Sequence, residues 1–212
     1  METETAYTYP HPARDRLLQT AGRLFYAEGI NAVGVERILS EAKAAKASMY
    51  SNFGSKSELV RAYLDKRSTD WRQVVETRLT ADVGAPEDQV LAVFDLLGEW
   101  FETLDYRGCP FINAAAECGS DPAVVEVVAG HREWVRGLFG GLLTTAGARD
   151  VETTVDKLCL LYDGAVVAAQ LDGSAESAKR ARETAELVVG AALASDPAPS
   201  PSSTRDGRPR YR

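Results

Sequence analysis

Only two histidines, His11 and His131, and three cysteines, Cys109, Cys118 and Cys159, occur in this chain of 212 residues. The cysteines form no metal-ligand spacing, and their odd number argues against a disulfide framework, so they are read as reduced thiols. No dense set of His, Asp and Glu stands at catalytic or metal spacing, which disfavours an enzyme and gives no reason to expect a metal or a cofactor. Also missing is any apolar run near the roughly 20 residues that span a bilayer. The stretch from Met1 to Thr8 is polar and acidic, without the apolar centre of a signal peptide, so the expected location is the cytoplasm, with no membrane partner. Alternating apolar and polar residues never persist long enough to argue for strands, and an all-α fold is expected.

What the chain has in quantity is apolar and acidic residues. Hydrophobic residues make up 45%, enough to bury a real core. The formal net charge of −7 runs against a nucleic-acid partner, because phosphate contacts are made by Lys and Arg. Its distribution changes that picture. Residues 1–66 carry nine Lys/Arg against eight Asp/Glu, whereas residues 67–195 carry 11 against 21. The acidity belongs to the second part, and the first can still present a basic face.

Apolar residues recur at three- and four-residue spacing along nearly the whole chain. Leu17, Leu18, Ala21, Leu24 and Phe25 mark a first helix that Pro12 opens and Gly29 closes. Val35, Ile38, Leu39 and Ala42 mark a short second one, and a third runs from about Ala45 to Asn52. The tetrapeptide Ser55-Lys56-Ser57-Glu58 reads as a capping box that starts a long helix reaching about Ala81, its stripe formed by Leu59, Val60, Tyr63, Leu64, Trp71, Val74 and Val75. Gly84-Ala85-Pro86 breaks the pattern. Further helices are expected at 87–104, 111–118, 122–146, 151–171 and 175–194. The Pro/Ser- and Arg-rich stretch 196–212 has almost nothing to bury and reads as a disordered tail.

Two short helices joined by the three-residue turn Lys43-Ala44-Ala45 match a helix-turn-helix, whose second helix enters the major groove N-terminus first. Ile38, Leu39, Met49 and Phe53 fill the space behind it. That leaves Lys46, Ala47, Ser48, Tyr50, Ser51 and Asn52 for phosphates and base edges: Asn52 or Ser48 for bases, Lys46 for a phosphate or guanine, Ala47 against a thymine methyl. Taken one at a time, these residues are more often packing or solvent-facing groups, and it is the combined run that points to DNA.

Leu17-Leu18-(x2)-Ala21-(x2)-Leu24-Phe25-(x3)-Gly29, Val35-(x2)-Ile38 and the run from Lys46 to Lys56 resemble the TetR (TetR/AcrR-like) family of transcriptional regulators. The resemblance implies that Tyr50 and Lys56 contact phosphates and that Phe53 anchors the reading helix. Lys56 would act at the first position of a helix, beside free backbone N–H groups. This chain departs from the family at Lys43, where glycine is usual in the turn, and at Val33 and Gly34, where Thr and Ser are frequent. Gly34 keeps only a backbone N–H to offer.

The expected organisation is a helix-turn-helix domain over 1–55, a connecting helix from 56, and an effector-binding and dimerisation domain over 56–195. In the second domain Trp100, Cys109, Phe111, Trp134 and Tyr162 are candidate effector contacts. Asn113 and Glu117, four apart on an apolar helix, need partners that a ligand can provide. Leu158, Leu161, Ala165, Val166 and Ala169, followed by Ala181, Ala185, Val188, Val189 and Ala192, suit either a four-helix homodimer interface, as the resemblance implies, or burial within one subunit. The functional expectation is a homodimeric repressor on palindromic operator DNA, released by a small hydrophobic or aromatic effector. The competing readings are a helical protein-interaction module without DNA binding and a helical enzyme using Glu117, Asp163 or His131.

Overall fold

The computed structural model describes residues 12–81 and 84–194, and among them every regular element is a helix. The 196–212 stretch read as a tail, and His11, lie outside the described residues. The elements are α1 (Pro12–Glu28), α2 (Val35–Ala42), α3 (Lys46–Phe53), α4 (Lys56–Ala81), α5 (Pro86–Phe101), α6 (Pro110–Cys118), α7 (Pro122–Thr145), α8 (Val151–Asp172) and α9 (Glu176–Leu193). No described helix is long and apolar enough to cross a membrane.

The helices gather round two hydrophobic cores. The first joins Leu17, Leu24 and Phe25 of α1 to Ile38 and Leu39 of α2, Met49 and Phe53 of α3, and Leu59, Val60, Tyr63 and Leu64 of α4. Phe111 and Ala114 of α6 and Val124 and Val127 of α7 belong to the same core. It therefore runs past residue 55, and α6 is packed into it. The second core lies among α5, α7, α8 and α9. α5 is its centre, because Val90 to Phe94, Leu96 and Leu97 are buried around nearly the whole circumference, as expected of a helix surrounded by others. Phe94 stacks on Phe139 of α7 with ring centroids 5.9 Å apart.

Local signals set the boundaries. Gly29 ends α1 at φ +93°, its N–H donating to the Phe25 carbonyl. Ser55 Oγ accepts from the Glu58 backbone N–H at 3.1 Å, which is the forward half of the expected capping box. α5 stops at Phe101 instead of continuing to Leu104: the Thr103 N–H and hydroxyl both donate to the Trp100 carbonyl, turning the chain. Lys43 takes the left-handed conformation, φ 49° and ψ 49°, at the C-cap of α2. The turn thus demands the geometry usually given to glycine, and Lys43 adopts it at a cost of about 1 kcal/mol.

Candidate nucleic-acid interface and ligand cavity

α3 is held from behind and open in front. Met49 is fully buried and Phe53 nearly so, with the Arg14 guanidinium 5.2 Å above the Phe53 ring. On the other side Lys46, Ala47 and Ser51 are exposed and Tyr50 is 47% exposed. An exposed aromatic between two buried side chains is not needed for packing and is free to meet a partner.

Several expected contacts are partly engaged within the protein. Lys46 Nζ donates to Glu36 Oε1 at 2.7 Å, a pair open to solvent and easily exchanged for a phosphate. Asn52 Nδ2 donates to the Ser48 carbonyl at 2.6 Å, and Ser51 Oγ to the same oxygen at 3.2 Å. Lys56 Nζ donates to the Ile30 carbonyl at 2.7 Å and lies 5.9 Å from the Phe25 ring centroid. An ammonium has three donors, so Lys56 joins α4 to the end of α1 and keeps hydrogens for another acceptor. Gly34 is the N-cap of α2 in extended conformation, and a Cβ there would meet nothing within 4 Å. Neither space nor backbone requires glycine at that position. Nearby, Arg37 is clasped by Glu28 and Glu41, and Arg23 by Glu41, which neutralises much of the basic charge of this domain.

Two adjoining cavities lie between α4, α5, α6, α7 and α8. The larger, about 350 Å³, is walled by Trp71, Leu96, Trp100, Phe111 and Tyr162, with Val74 at its edge. The smaller, about 220 Å³, is walled by Ile112, Ala115, Val128, Val135 and Cys159. Cys109, Phe111, His131 and Tyr162 line both and form the partition between them. Trp71 and Trp100 sit 5.7 Å apart, centroid to centroid. Four of the residues expected to meet an effector, Trp100, Cys109, Phe111 and Tyr162, thus converge on one space.

Three others do not line it. Trp134 lies beneath the Arg72 guanidinium at 5.2 Å. Asn113 Nδ2 donates to the Arg107 carbonyl at 3.0 Å. Glu117 Oε2 accepts from the Asn31 backbone N–H at 2.9 Å, and the Glu117 carbonyl accepts from Asn31 Nδ2 at 3.0 Å. The polar groups of α6 therefore have protein partners in place of the ligand anticipated for them. Glu117 fastens the end of α6 to the loop between α1 and α2, where a Cβ on Gly29 would come within 3.1 Å of its carboxylate. A second tie lies at the other end of α6: the Tyr26 hydroxyl donates to the Gly108 carbonyl at 3.0 Å and accepts from the Arg107 N–H at 2.9 Å. Gly108 has φ +81°, and a Cβ on it would run into the Gln170 amide.

Trp71, His131 and Ser68 are parts of the site that the effector reading of the sequence does not include. Trp71 falls on the apolar stripe expected for α4, and a spacing cannot distinguish a core from a cavity wall. Its Nε1 is buried with no hydrogen-bond partner closed among the described residues, beside the Tyr162 phenol, whose acidity it influences. Burial keeps that phenol protonated, its pKa far above the ordinary value. His131 is stacked on Phe111 at 3.7 Å and 6°, and its Nδ1 is 3.0 Å from Ser68 Oγ. Arg72 Nε donates to the same Ser68 oxygen at 3.2 Å. His131 Nδ1 is the one acceptor in contact with the Ser68 hydroxyl among the described residues. The hydroxyl therefore donates to Nδ1, and the ring proton resides on Nε2. Burial, aided by the Arg72 and Arg132 charges, lowers the His131 pKa to about 4, so the ring is neutral at physiological pH.

Burial raises the thiol pKa of Cys109, Cys118 and Cys159, which disfavours the reactive thiolate at each. No group of three or more His, Cys, Asp and Glu among the described residues is placed to hold a metal ion.

The helix faces expected to join two subunits are a correction. Leu158, Ala165, Val166 and Ala169 on α8, and Ala181, Ala185 and Val189 on α9, are buried in the subunit's own second core, with Leu161, Val188 and Ala192 half-buried. The seven buried residues face α5, α7 and each other, whereas Leu161, Val188 and Ala192 keep part of their surface open. The open face lies on the opposite side: Leu160 is 72% exposed, Leu171 79% and Leu187 74%, with Gly164 and Val167 continuing the α8 stripe.

Residues 17–63 match the family model described as bacterial regulatory proteins of the tetR family, and residues 86–185 match that of the tetracyclin repressor-like C-terminal domain. Among solved structures, a TetR-family transcriptional regulator from Streptomyces coelicolor is 36% identical, covers 86% of this chain and 97% of its own, and superposes with a TM-score of 0.79. A tetR-transcriptional regulator from Streptomyces avermitilis is 26% identical over 85% of this chain and 97% of its own, with a TM-score of 0.74. The reduced form of NemR from E. coli, 21% identical over 84% of this chain and 98% of its own, shares the fold at a TM-score of 0.74. No match was found among curated proteins.

Proposed function

This chain belongs to the TetR family and is a DNA-binding transcriptional regulator, and from that premise we propose that it is a homodimeric repressor released from palindromic operator DNA by a small, largely apolar effector. In this reading the helix-turn-helix domain of residues 1–55 reads DNA in the cytoplasm through Tyr50, Lys46 and Lys56. Residues 56–195 form the effector and dimer part. Two copies joined through the Leu160, Gly164, Val167 and Leu171 face of α8 and the Leu187 face of α9 would set their α3 helices about 34 to 36 Å apart, one turn of DNA.

The observation that carries the reading is the double attachment of α6. Its first turn, with Phe111, is cavity wall, while Glu117 at its far end holds the loop that follows α1. An effector that displaces Phe111 therefore pulls on the reading domain through one helix. The long α4, which carries Lys56 at its start and Trp71 at the cavity, is a second lever. Release follows if the effector favours the DNA-incompetent arrangement, by about 1.4 kcal/mol for each tenfold loss of operator affinity.

The test is a gel shift of DNA from upstream of the chain's own gene, over a range of salt. A shift that weakens with salt, carried by a dimer and reduced in Tyr50→Ala, is the expected result. A folded, dimeric protein that shifts none of this DNA at low salt would overturn the proposal.

A further inference from the structure

The chemistry of the partition between the two cavities is one-sided. His131 has its Nδ1 occupied by Ser68, which leaves the Nε2–H as the ring's donor toward the cavities it lines, and the Trp71 Nε1–H beside it is buried with no hydrogen-bond partner among the described residues. The Tyr162 hydroxyl is protonated. The walls around these groups are indole and phenyl rings. At the rim of the larger cavity, Asp70 is paired with Lys66 and Glu99 with Arg78. The Arg67 guanidinium lies on the Tyr26 ring at 4.6 Å with no carboxylate partner among the described residues. Arg72 sits immediately behind Ser68. The interior thus offers neutral hydrogen-bond donors and no unpaired carboxylate, and its nearest uncompensated charges are positive.

Resting on the reading of this cavity as the effector site, we infer that its ligand is a planar aromatic molecule with an accepting oxygen, an aromatic ketone in character, which receives the Nε2–H of His131 while its rings lie against Trp100 and Phe111. A ligand carbonyl can accept the Nε2–H of His131, whereas a bare hydrocarbon offers it no acceptor. The two indoles alone would also suit an organic cation. The arginines and the absence of a free carboxylate in the interior disfavour it.

Three tricyclic probes of nearly equal size separate these chemistries: 9-fluorenone carries a carbonyl, fluorene lacks it, and 9-aminoacridine is a cation. Binding to the full-length dimer, without DNA, is followed by tryptophan quenching and calorimetry. The expected order is fluorenone at least tenfold tighter than fluorene, with 9-aminoacridine weakest. His131→Phe should bring fluorenone down to the level of fluorene while leaving fluorene unchanged. Should that variant fail to fold, Ser68→Ala serves instead: it frees Nδ1 to carry the proton and should narrow the fluorenone preference severalfold. Equal binding of fluorenone and fluorene, tighter binding of 9-aminoacridine, or a preference that survives these substitutions overturns the inference. The functional proposal is judged separately by the gel shift, so either can fail while the other stands.

Discussion

The carboxylate of Glu117 receives the backbone N–H of Asn31 at 2.9 Å, linking a helix that walls the two cavities to the loop that follows the first helix of the reading domain. A backbone amide bound to a carboxylate is one of the stronger hydrogen bonds available to a protein. In the proposed mechanism its position makes it a coupling element as well as a stabilising one. Ser57, at the start of α4, adds a parallel tie by donating to the Asp121 carboxylate at the head of α7.

Glu117→Ala should therefore separate ligand binding from DNA release. Cavity affinity stays within about twofold of the native chain, because Glu117 does not line the cavity. The loss of operator affinity caused by a saturating ligand should shrink by about tenfold, equivalent to about 1.4 kcal/mol of coupling. Anisotropy titration of labelled DNA, with and without ligand, measures this. An unchanged response would show that α4 alone transmits the signal.

Tyr50 and Lys56 should behave differently from each other. Tyr50→Ala removes a half-exposed ring and should alter stability by no more than about 0.5 kcal/mol, while weakening operator binding by tenfold or more. Lys56→Ala also deletes the bond to the Ile30 carbonyl, so it should cost about 1 kcal/mol of stability and make the log–log salt slope shallower by about 1 per subunit. Urea melts and salt-dependent titrations distinguish the two.

Lys43→Gly should stabilise the protein by about 1 kcal/mol, because the residue stands at φ 49° and glycine reaches that region without a Cβ clash. A higher melting temperature with unchanged DNA affinity is the expected result. Lower stability would mean that the Lys43 side chain makes a compensating contact.

Leu160→Glu and Leu171→Glu should give monomers that remain folded, since both side chains are largely exposed in the subunit. Leu158→Ala, two residues from the first, should leave a dimer but destabilise it by about 2–5 kcal/mol, as a fully buried leucine in a packed core. Sedimentation and thermal unfolding at several concentrations read out both effects.

His131 should make the fold sensitive to mild acid. Its pKa in the folded chain is lowered to about 4 from the ordinary 6.5. Between these values the unfolded chain binds more protons, so stability is fully present above about pH 6.5 and falls as pH drops toward 4. The full window is worth about 3 kcal/mol at most. His131→Phe should flatten this part of the stability profile, measured by denaturant melts from pH 7 to pH 4.

The sequence made the helices legible because periodicity, glycines and prolines act locally. Gly29, the Ser55 cap and Pro86 stand where the elements begin or end, and the exception at Leu104 arises from Thr103 turning back on Trp100. The pattern of buried and open positions on α3 was also legible, because Met49 and Phe53 share one side of a short helix. The site in the second part was only half legible. Trp100, Cys109, Phe111 and Tyr162 come together from three chain segments, but Trp71 reads as core and His131 as an isolated histidine until α4 and α7 are seen side by side. On α8 and α9 the apolar residues that recur most regularly are those that pack inside, so the most regular stripe pointed to the subunit's own core.

The sequence by itself determined that this protein is a set of amphipathic helices with a helix-turn-helix near its start, because those properties depend on residues within a few positions of one another. Only the tertiary structure decided which polar groups meet protein and which face an empty space. Glu117 found the loop at Asn31, 86 residues away, and His131 found Ser68 across 63 residues. Such pairings follow from how whole helices pack, and no local pattern encodes them.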